Sequence, residues 1–271
     1  MLHRVDVFQN LKTTKTSKDI TGQALLDPTL SGAGIKYRNF KNDPLFSNNG
    51  PSIDDINQGA LGDCYFLAQM GSFAELDANM IKQSIVSLGD GSYAVEFVKN
   101  AKDVFYRIDA DLPSYSPSQL AYAGFGADNS IWAALYEKAW TFARSGAGTY
   151  ASIASGWMGS VASVFGKNND FGYTNGDVTA LLSTLETALG AGKSVTVGTY
   201  GTQPGGSIVV GGHAYSVEGI TDDGQGNVSI RVRNPWGVDG YVCADGSNDG
   251  YVTLTVAQFT ASMQDYCISD A

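Results

Sequence analysis

Residue 64 is a cysteine set where a glycine-broken loop turns into a helix. The loop reads QGALGD, from Gln58 to Asp63, and is followed by YFLAQMGSFAEL. In that run Phe66, Leu67, Met70, Phe73 and Leu76 recur at helical spacing, which predicts a helix whose first turn holds Cys64. The unpaired N–H groups and positive dipole end of such a turn favour a thiolate, and a neighbouring imidazolium favours it further. The Gln58 amide, upstream in the loop, is placed to donate to a developing oxyanion, with the Cys64 N–H as the second donor. Gly59 and Gly62 let the loop bring both donors close.

A nucleophilic thiol needs a base, and the chain has only His3 and His213. His3 lies in a polar, weakly patterned segment. His213 stands in IVVGGHAYSVEGI, where Gly211 and Gly212 permit close backbone approach and the residues from Ala214 to Glu218 alternate as a strand does. A rigid element is where a base belongs. The next alternating segment, VSIRVRNPWG, ends at Asn234, whose side-chain oxygen is suited to accept the second imidazole N–H and fix the tautomer. Trp236 is placed to roof that hydrogen bond. Taken singly each residue has a plainer reading: a core cysteine, a structural strand histidine, an Asn-Pro turn. It is their combination with Gln58 that points to thiol chemistry. Cys243 and Cys267 have no base beside them and read as structural, with a disulfide between them left open.

QGALGDCYFLA, GHAYSVEG and RNPWG, in that order, resemble the protease core of the calpain family. IDADLP, IWAALYEKAW with Tyr150, and DGYVTLTVAQFTASM resemble the segments around them, so the likeness covers about residues 40 to 271. The resemblance implies an α+β, papain-like fold of two lobes. A helix-led lobe (44–160) would carry the cysteine, and an antiparallel β lobe (161–271) the histidine and asparagine, after an arm or pro-segment (1–43). It implies endopeptidase activity on polypeptides, with Cys64 as nucleophile, His213 as base and then acid, Asn234 as orienting residue and Gln58 as oxyanion donor. Gly62, Tyr65, Gly212 and Trp236 would support the cleft, Tyr65 standing where the family usually has tryptophan. A transglutaminase-like acyltransferase and an inactive calpain-like binding module are the rival readings. Lobe closure would gate activity, and in the family the gate is calcium. Asp55 matches a family ligand position, whereas Ser130 stands where the family has a carboxylate. Asp239, with Asp245 and Asp249, supplies acidic oxygens after RNPWG, though out of the family's register. No organic cofactor is expected.

Seventeen basic against 27 acidic residues give a net charge of −10, which argues against a nucleic-acid partner. No stretch approaches a membrane span, and the N-terminus lacks an apolar run of signal-peptide length. The chain is expected to be soluble, with cytoplasmic and secreted locations both open and the oligomeric state unread. Strands are expected at 92–99 and 103–113, and an amphipathic helix at 129–143. A Gly-, Asn- and Ser-rich junction is expected at 155–177, followed by a helix from Asp177 and then the strands of the second lobe.

Overall fold

The computed structural model describes residues 8–9 and 25–271. His3 and most of the expected arm lie outside the described residues. The chain divides into two compact units. One takes the described residues up to Asp63 together with Ala78–Ser155 and Val164–Gly166; the other takes Cys64–Asp77, Gly156–Ser163 and Lys167–Ala271.

The first unit contains β1 (Phe8–Gln9), β2 (Lys36–Asn39), α2 (Ala78–Ser84), β3 (Ile85–Ser87), β4 (Ser92–Lys99), β5 (Lys102–Asp109), β6 (Asp111–Ser116), β7 (Gln119–Leu120) and α3 (Trp132–Ala143); the label α1 belongs to Cys64–Leu76 in the second unit. Two sheets form, ordered β1-β5-β4-β3 and β2-β6-β7. The β1–β5 pair is parallel and the other pairs are antiparallel. Strand β2 and the buried Phe40 bring part of the expected arm into this unit. Helix α3 packs on β4, β5 and β6, and every one of its residues is buried, including Glu137 and Lys138. An aromatic cluster surrounds Phe97, whose ring meets Tyr106, Tyr136, Trp140 and Phe165 at centroid distances of 5.7 to 6.0 Å. Contacts of this size and geometry add to simple burial.

The second unit contains α1, α4 (Met158–Val164, its last residue counted with the first unit), β8 (Asn169–Tyr173), α5 (Val178–Gly190), β9 (Ser194–Thr199), β10 (Ala214–Asp222), β11 (Val228–Arg233), β12 (Tyr251–Thr255), α6 (Val256–Ser262) and β13 (Met263–Ser269). Its six strands form one antiparallel sheet, ordered β12-β11-β10-β9-β13-β8. The glycine-rich stretch 155–177 is therefore more than a junction, since it supplies α4 and the edge strand β8. Asp177 caps α5 by accepting the N–H groups of Thr179 and Ala180. Leu181 and Leu185 of that helix join Val195, Val197, Tyr215, Val217, Ile230 and Val232 in the core.

Helix α1, expected to lead the first lobe, clusters with the second unit because it packs on β9 and β10. Its underside is neutral and polar. Gln69 Nε2 donates to Ser194 Oγ at 2.7 Å and to Ser269 Oγ at 3.2 Å, Thr196 Oγ1 donates to Gln69 Oε1, and Ser194 Oγ donates to Ser72 Oγ at 2.8 Å. All these groups are buried. Directional bonds of this kind fix how far the helix slides along the sheet, which an apolar contact alone leaves loose.

Candidate active site

Cys64 is the first residue of α1 and is partly exposed. Its thiol lies within electrostatic reach of the Tyr215 hydroxyl. Tyr215 is buried in β10, accepts the Val210 N–H at 2.8 Å, and packs edge-on against the His213 ring at 5.2 Å. The cysteine helix and the histidine strand thus belong to one unit.

His213 immediately precedes β10 and is held through its backbone. Its N–H donates to Thr199 Oγ1 at 2.9 Å, its carbonyl accepts the Thr199 N–H, and Gly212, at φ +62°, makes the turn that delivers it. The ring Nε2 lies 2.8 Å from Asn234 Oδ1. Asn234 is wholly buried one residue beyond β11, and its Nδ2 donates to the Asp239 carbonyl at 3.3 Å. With the amide nitrogen so engaged, Oδ1 is the acceptor, Nε2 carries the hydrogen, and Nδ1 keeps the basic lone pair. Trp236 lies over this pair, its ring 4.9 Å from His213 and its backbone N–H donating to Asn234 Oδ1 at 3.0 Å. Burial pushes the imidazole down to about 4, against the weaker upward pull of Asn234. At neutral pH the ring is uncharged.

Asp239 braces the asparagine. Its carboxylate accepts the Gly250 N–H at 2.9 Å, Asn248 holds its own N–H, and Gly250 in turn accepts the Asn234 N–H at 2.8 Å. The sequence marks Asp239 for a cation, but its contacts serve the loop between Asn234 and Gly250.

Gln58 lies in the first unit, in a loop paired with the segment 121–124. Gly59 N–H donates to the Tyr122 carbonyl, Ala60 N–H to that of Ala121, and Gly124 N–H to that of Asn57. A Cβ on Gly59 would collide with the Ala121 and Tyr122 carbonyls, so glycine is required there. Gln58 Nε2 donates to the Leu61 carbonyl at 2.6 Å and reaches Asp63 Oδ1 at 3.4 Å. Gly62 offers its carbonyl to the Ser155 N–H, and a Cβ on it would meet nothing. Tyr65 is 1% exposed, so its ring is packing in α1 and not a solvent-facing wall.

Asp55 is fully buried, and N–H donors engage both of its oxygens. Ala127 N–H donates to Oδ1 at 2.8 Å, and Ser52 N–H and Trp132 Nε1–H to Oδ2 at 3.0 and 2.9 Å. Ser130 beside it offers a neutral hydroxyl. The three N–H hydrogens take three of the four lone-pair sites of the carboxylate and leave one, on Oδ1, and the neutral Ser130 adds no charge, so this donor set is a poor fit to calcium. Among the described residues one cluster of carboxylates, Asp27, Asp109 and Asp111, converges closely enough for a metal. Lys138 Nζ is already there, at 2.6 Å from Asp27 Oδ1 and from Asp109 Oδ1, and 2.8 Å from the Asp111 carbonyl. Cys267 is buried, and desolvation raises its thiol to about 11, which leaves it inert; Cys243 is exposed and free.

The profile of the calpain family of cysteine proteases matches residues 35–248. The chain belongs to that family. It is 29% identical over 210 residues to calpain clp-4 of Caenorhabditis elegans, covering 72% of this chain and 29% of that protein. Identity is 29% over 228 residues with the calpain-1 catalytic subunit of Mus musculus, covering 75% and 31%, and 26% over 210 residues with the calpain-type cysteine protease DEK1 of Zea mays, covering 71% and 9%. The chain therefore spans under a third of the length of each of these relatives. Its α+β architecture of helices and antiparallel sheets in two lobes is that of the family's protease core. No described helix is long and apolar enough to cross a membrane.

Proposed function

We propose that the chain is a cysteine endopeptidase in which Cys64 attacks the substrate carbonyl, His213 moves the proton and Asn234 orients the imidazole. The observation that carries this reading is the buried His213–Asn234 hydrogen bond of 2.8 Å, in the same unit as the helix that begins at Cys64. The neutral resting imidazole takes the thiol proton on Nδ1 as sulfur bonds to the carbonyl carbon. The negative charge that develops on the carbonyl oxygen is held by the Cys64 N–H and by the Gln58 amide, the second donor that the family resemblance assigns. The imidazolium then protonates the leaving amine, the thioester forms, and His213 acts again as base for the water that hydrolyses it. The Trp236 ring limits water at the His213–Asn234 bond.

The substrate class is polypeptide. The donor set at Asp55 argues against calcium there, and the chemistry above needs no metal. The test is hydrolysis of casein and of a mixed fluorogenic peptide library by the full chain, with Cys64→Ala and His213→Ala beside it. Cleavage lost in both variants supports the reading. Cleavage retained in Cys64→Ala overturns it, and amine incorporation without cleavage would move the chain to acyl transfer.

A further inference from the structure

Helix α3 aims Glu137 at the loop that ends one residue before Cys64. Glu137 and Asp63 are 1% and 0% exposed, and Asp63 Oδ2, enclosed beside the Glu137 carboxyl, meets no N–H or O–H donor. Two carboxylates have no hydrogen to share, so this contact requires a proton on one of them. The remaining partners are few. Both Glu137 oxygens accept the Ala123 N–H at 3.1 Å, Asp63 Oδ1 accepts Gln58 Nε2, and no N–H reaches Asp63 Oδ2. Among the described residues no basic side chain acts on either carboxyl; the groups that feel the Glu137 charge are Asp63 and the Tyr122 and Tyr150 phenols.

The pair also grips both sides of one short ladder. Gln58 bridges to Ala123, flanked by the Gly59–Tyr122 and Ala60–Ala121 hydrogen bonds. Glu137 holds the Ala123 side and Asp63 holds the Gln58 side, so a hydrogen shared by the two carboxyls would tie the grips across the ladder. We propose that Asp63 and Glu137 share one proton at neutral pH, and that this proton is the clasp that positions Gln58 beside the nucleophile loop. The sharing stands on its own geometry, while its consequence for catalysis rests on the endopeptidase reading above.

Burial, the larger cause, raises Asp63 to about 7, and burial followed by the Asp63 charge raises Glu137 well above the ordinary carboxyl range. The proton therefore persists at neutrality and leaves to hydroxide on the alkaline side. Two buried, unpaired negative charges then repel, and the ladder opens. Neither residue touches substrate; both act through Gln58.

The experiment uses the full chain and two variants, Glu137→Gln and Asp63→Asn, each of which replaces the shared proton with a permanent N–H donor of similar shape. Three quantities are followed from mildly acidic to alkaline pH: the infrared carbonyl band of a protonated carboxyl, the thermal unfolding midpoint, and kcat and KM for peptide hydrolysis. The wild type should show the band at neutral pH and lose it in alkali, with the midpoint falling and kcat dropping about tenfold or more, as expected for a displaced catalytic donor. Glu137→Gln should lack the band, and its midpoint and kcat should hold through the range where the wild type falls. If Glu137→Gln fails to fold, Asp63→Asn carries the same comparison, and the wild-type infrared band decides the sharing without either. Absence of the band at neutral pH overturns the proposal, as do identical alkaline limbs in wild type and variant. A wild type that shows the band and the midpoint shift but cleaves nothing keeps the clasp and sinks the endopeptidase reading instead.

Discussion

Around α3 the first unit keeps the protons of buried ionisable groups or pairs their charges: Glu137 with Asp63 around a proton, and Lys138 with Asp27 and Asp109 through its ammonium. Beneath α1 and around His213, the second unit buries groups that stay neutral: Gln69, Ser72, Ser194, Thr196, Ser269, and an imidazole held uncharged. The difference is one of pH sense. A buried carboxyl that keeps a proton the unfolded chain would release loses stability as pH rises. A buried histidine that refuses a proton the unfolded chain would accept gains it.

The largest effect should come from cutting the charged side of this comparison. Lys138 is fully buried and its ammonium is the common partner of two carboxylates and two backbone carbonyls. Lys138→Met leaves those carboxylates buried without their cation, and breaking a buried pair in this way costs about 3 to 5 kcal/mol. Urea unfolding should show that loss as a lower midpoint, and a midpoint near the wild type would mean the cluster relaxes into water. Replacing Lys138 by arginine should not restore stability, because a forked guanidinium does not fit a site shaped around a point charge.

The pH prediction tests the contrast itself. His213 is depressed to about 4 against an unfolded value near 6.5, so its neutral form stabilises the fold fully above about 6.5 and that contribution is lost as pH falls toward 4. At ~1.4 kcal/mol per unit the window amounts to about 3 kcal/mol. Over part of the same range the carboxyl pair works the other way, since Asp63 and Glu137 keep between them a proton that an unfolded chain has released. The wild-type dependence of stability on pH between these limits should therefore be shallow. His213→Phe should unmask a decline with rising pH, and Glu137→Gln a steeper rise. Equal slopes in all three proteins would mean that neither unit holds its protons as the geometry implies.

A smaller effect is expected under α1. Gln69→Leu keeps the volume but takes a hydrogen-bond partner from each of Ser194, Ser269 and Thr196, at a cost of about 0.5 to 1.5 kcal/mol for each bond lost. Helix register on the sheet should suffer with it, so kcat should fall while the KM for a short peptide holds. A fall in KM alone would assign Gln69 to some other role.

How far the chain could be read without coordinates follows the range of each signal. The start of α1 at Cys64, the β10 strand after His213 and the stop at Asn234 all show in local spacing, and the His213–Asn234 bond forms as that spacing suggests. Glu137 and Lys138 were hidden: in IWAALYEKAW they read as the solvated face of an amphipathic helix, yet their partners Asp63, Asp27 and Asp109 lie far away in sequence. Strand β8 was hidden in a stretch rich in Gly and Asn because its partner, β13, comes almost a hundred residues later. The attachment of α1 to the second unit is likewise tertiary, written in Gln69 and the sheet serines and not in the helix's own periodicity.

The smallest expected effect is the most direct check on how a carboxylate is used in each unit. Asp55 and Asp239 occupy the stretches where the family resemblance places calcium, and both hold N–H groups: Asp55 those of Ser52, Ala127 and Trp132, and Asp239, through Oδ1, that of Gly250. A cation that takes Asp55 Oδ2 would have to displace the Trp132 indole or the Ser52 amide, each a hydrogen bond to a charged acceptor worth about 1.5 to 3 kcal/mol. Adding calcium, or a chelator, should therefore leave the unfolding midpoint and the hydrolysis rate unchanged, whereas Trp132→Phe, which frees a second lone pair on Asp55, should lower stability without creating a calcium response. A midpoint that rises with calcium in the wild type would show that ligation outcompetes those N–H bonds, because a ligand stabilises the state it binds. The two loops would then be switches, where their present contacts make them braces.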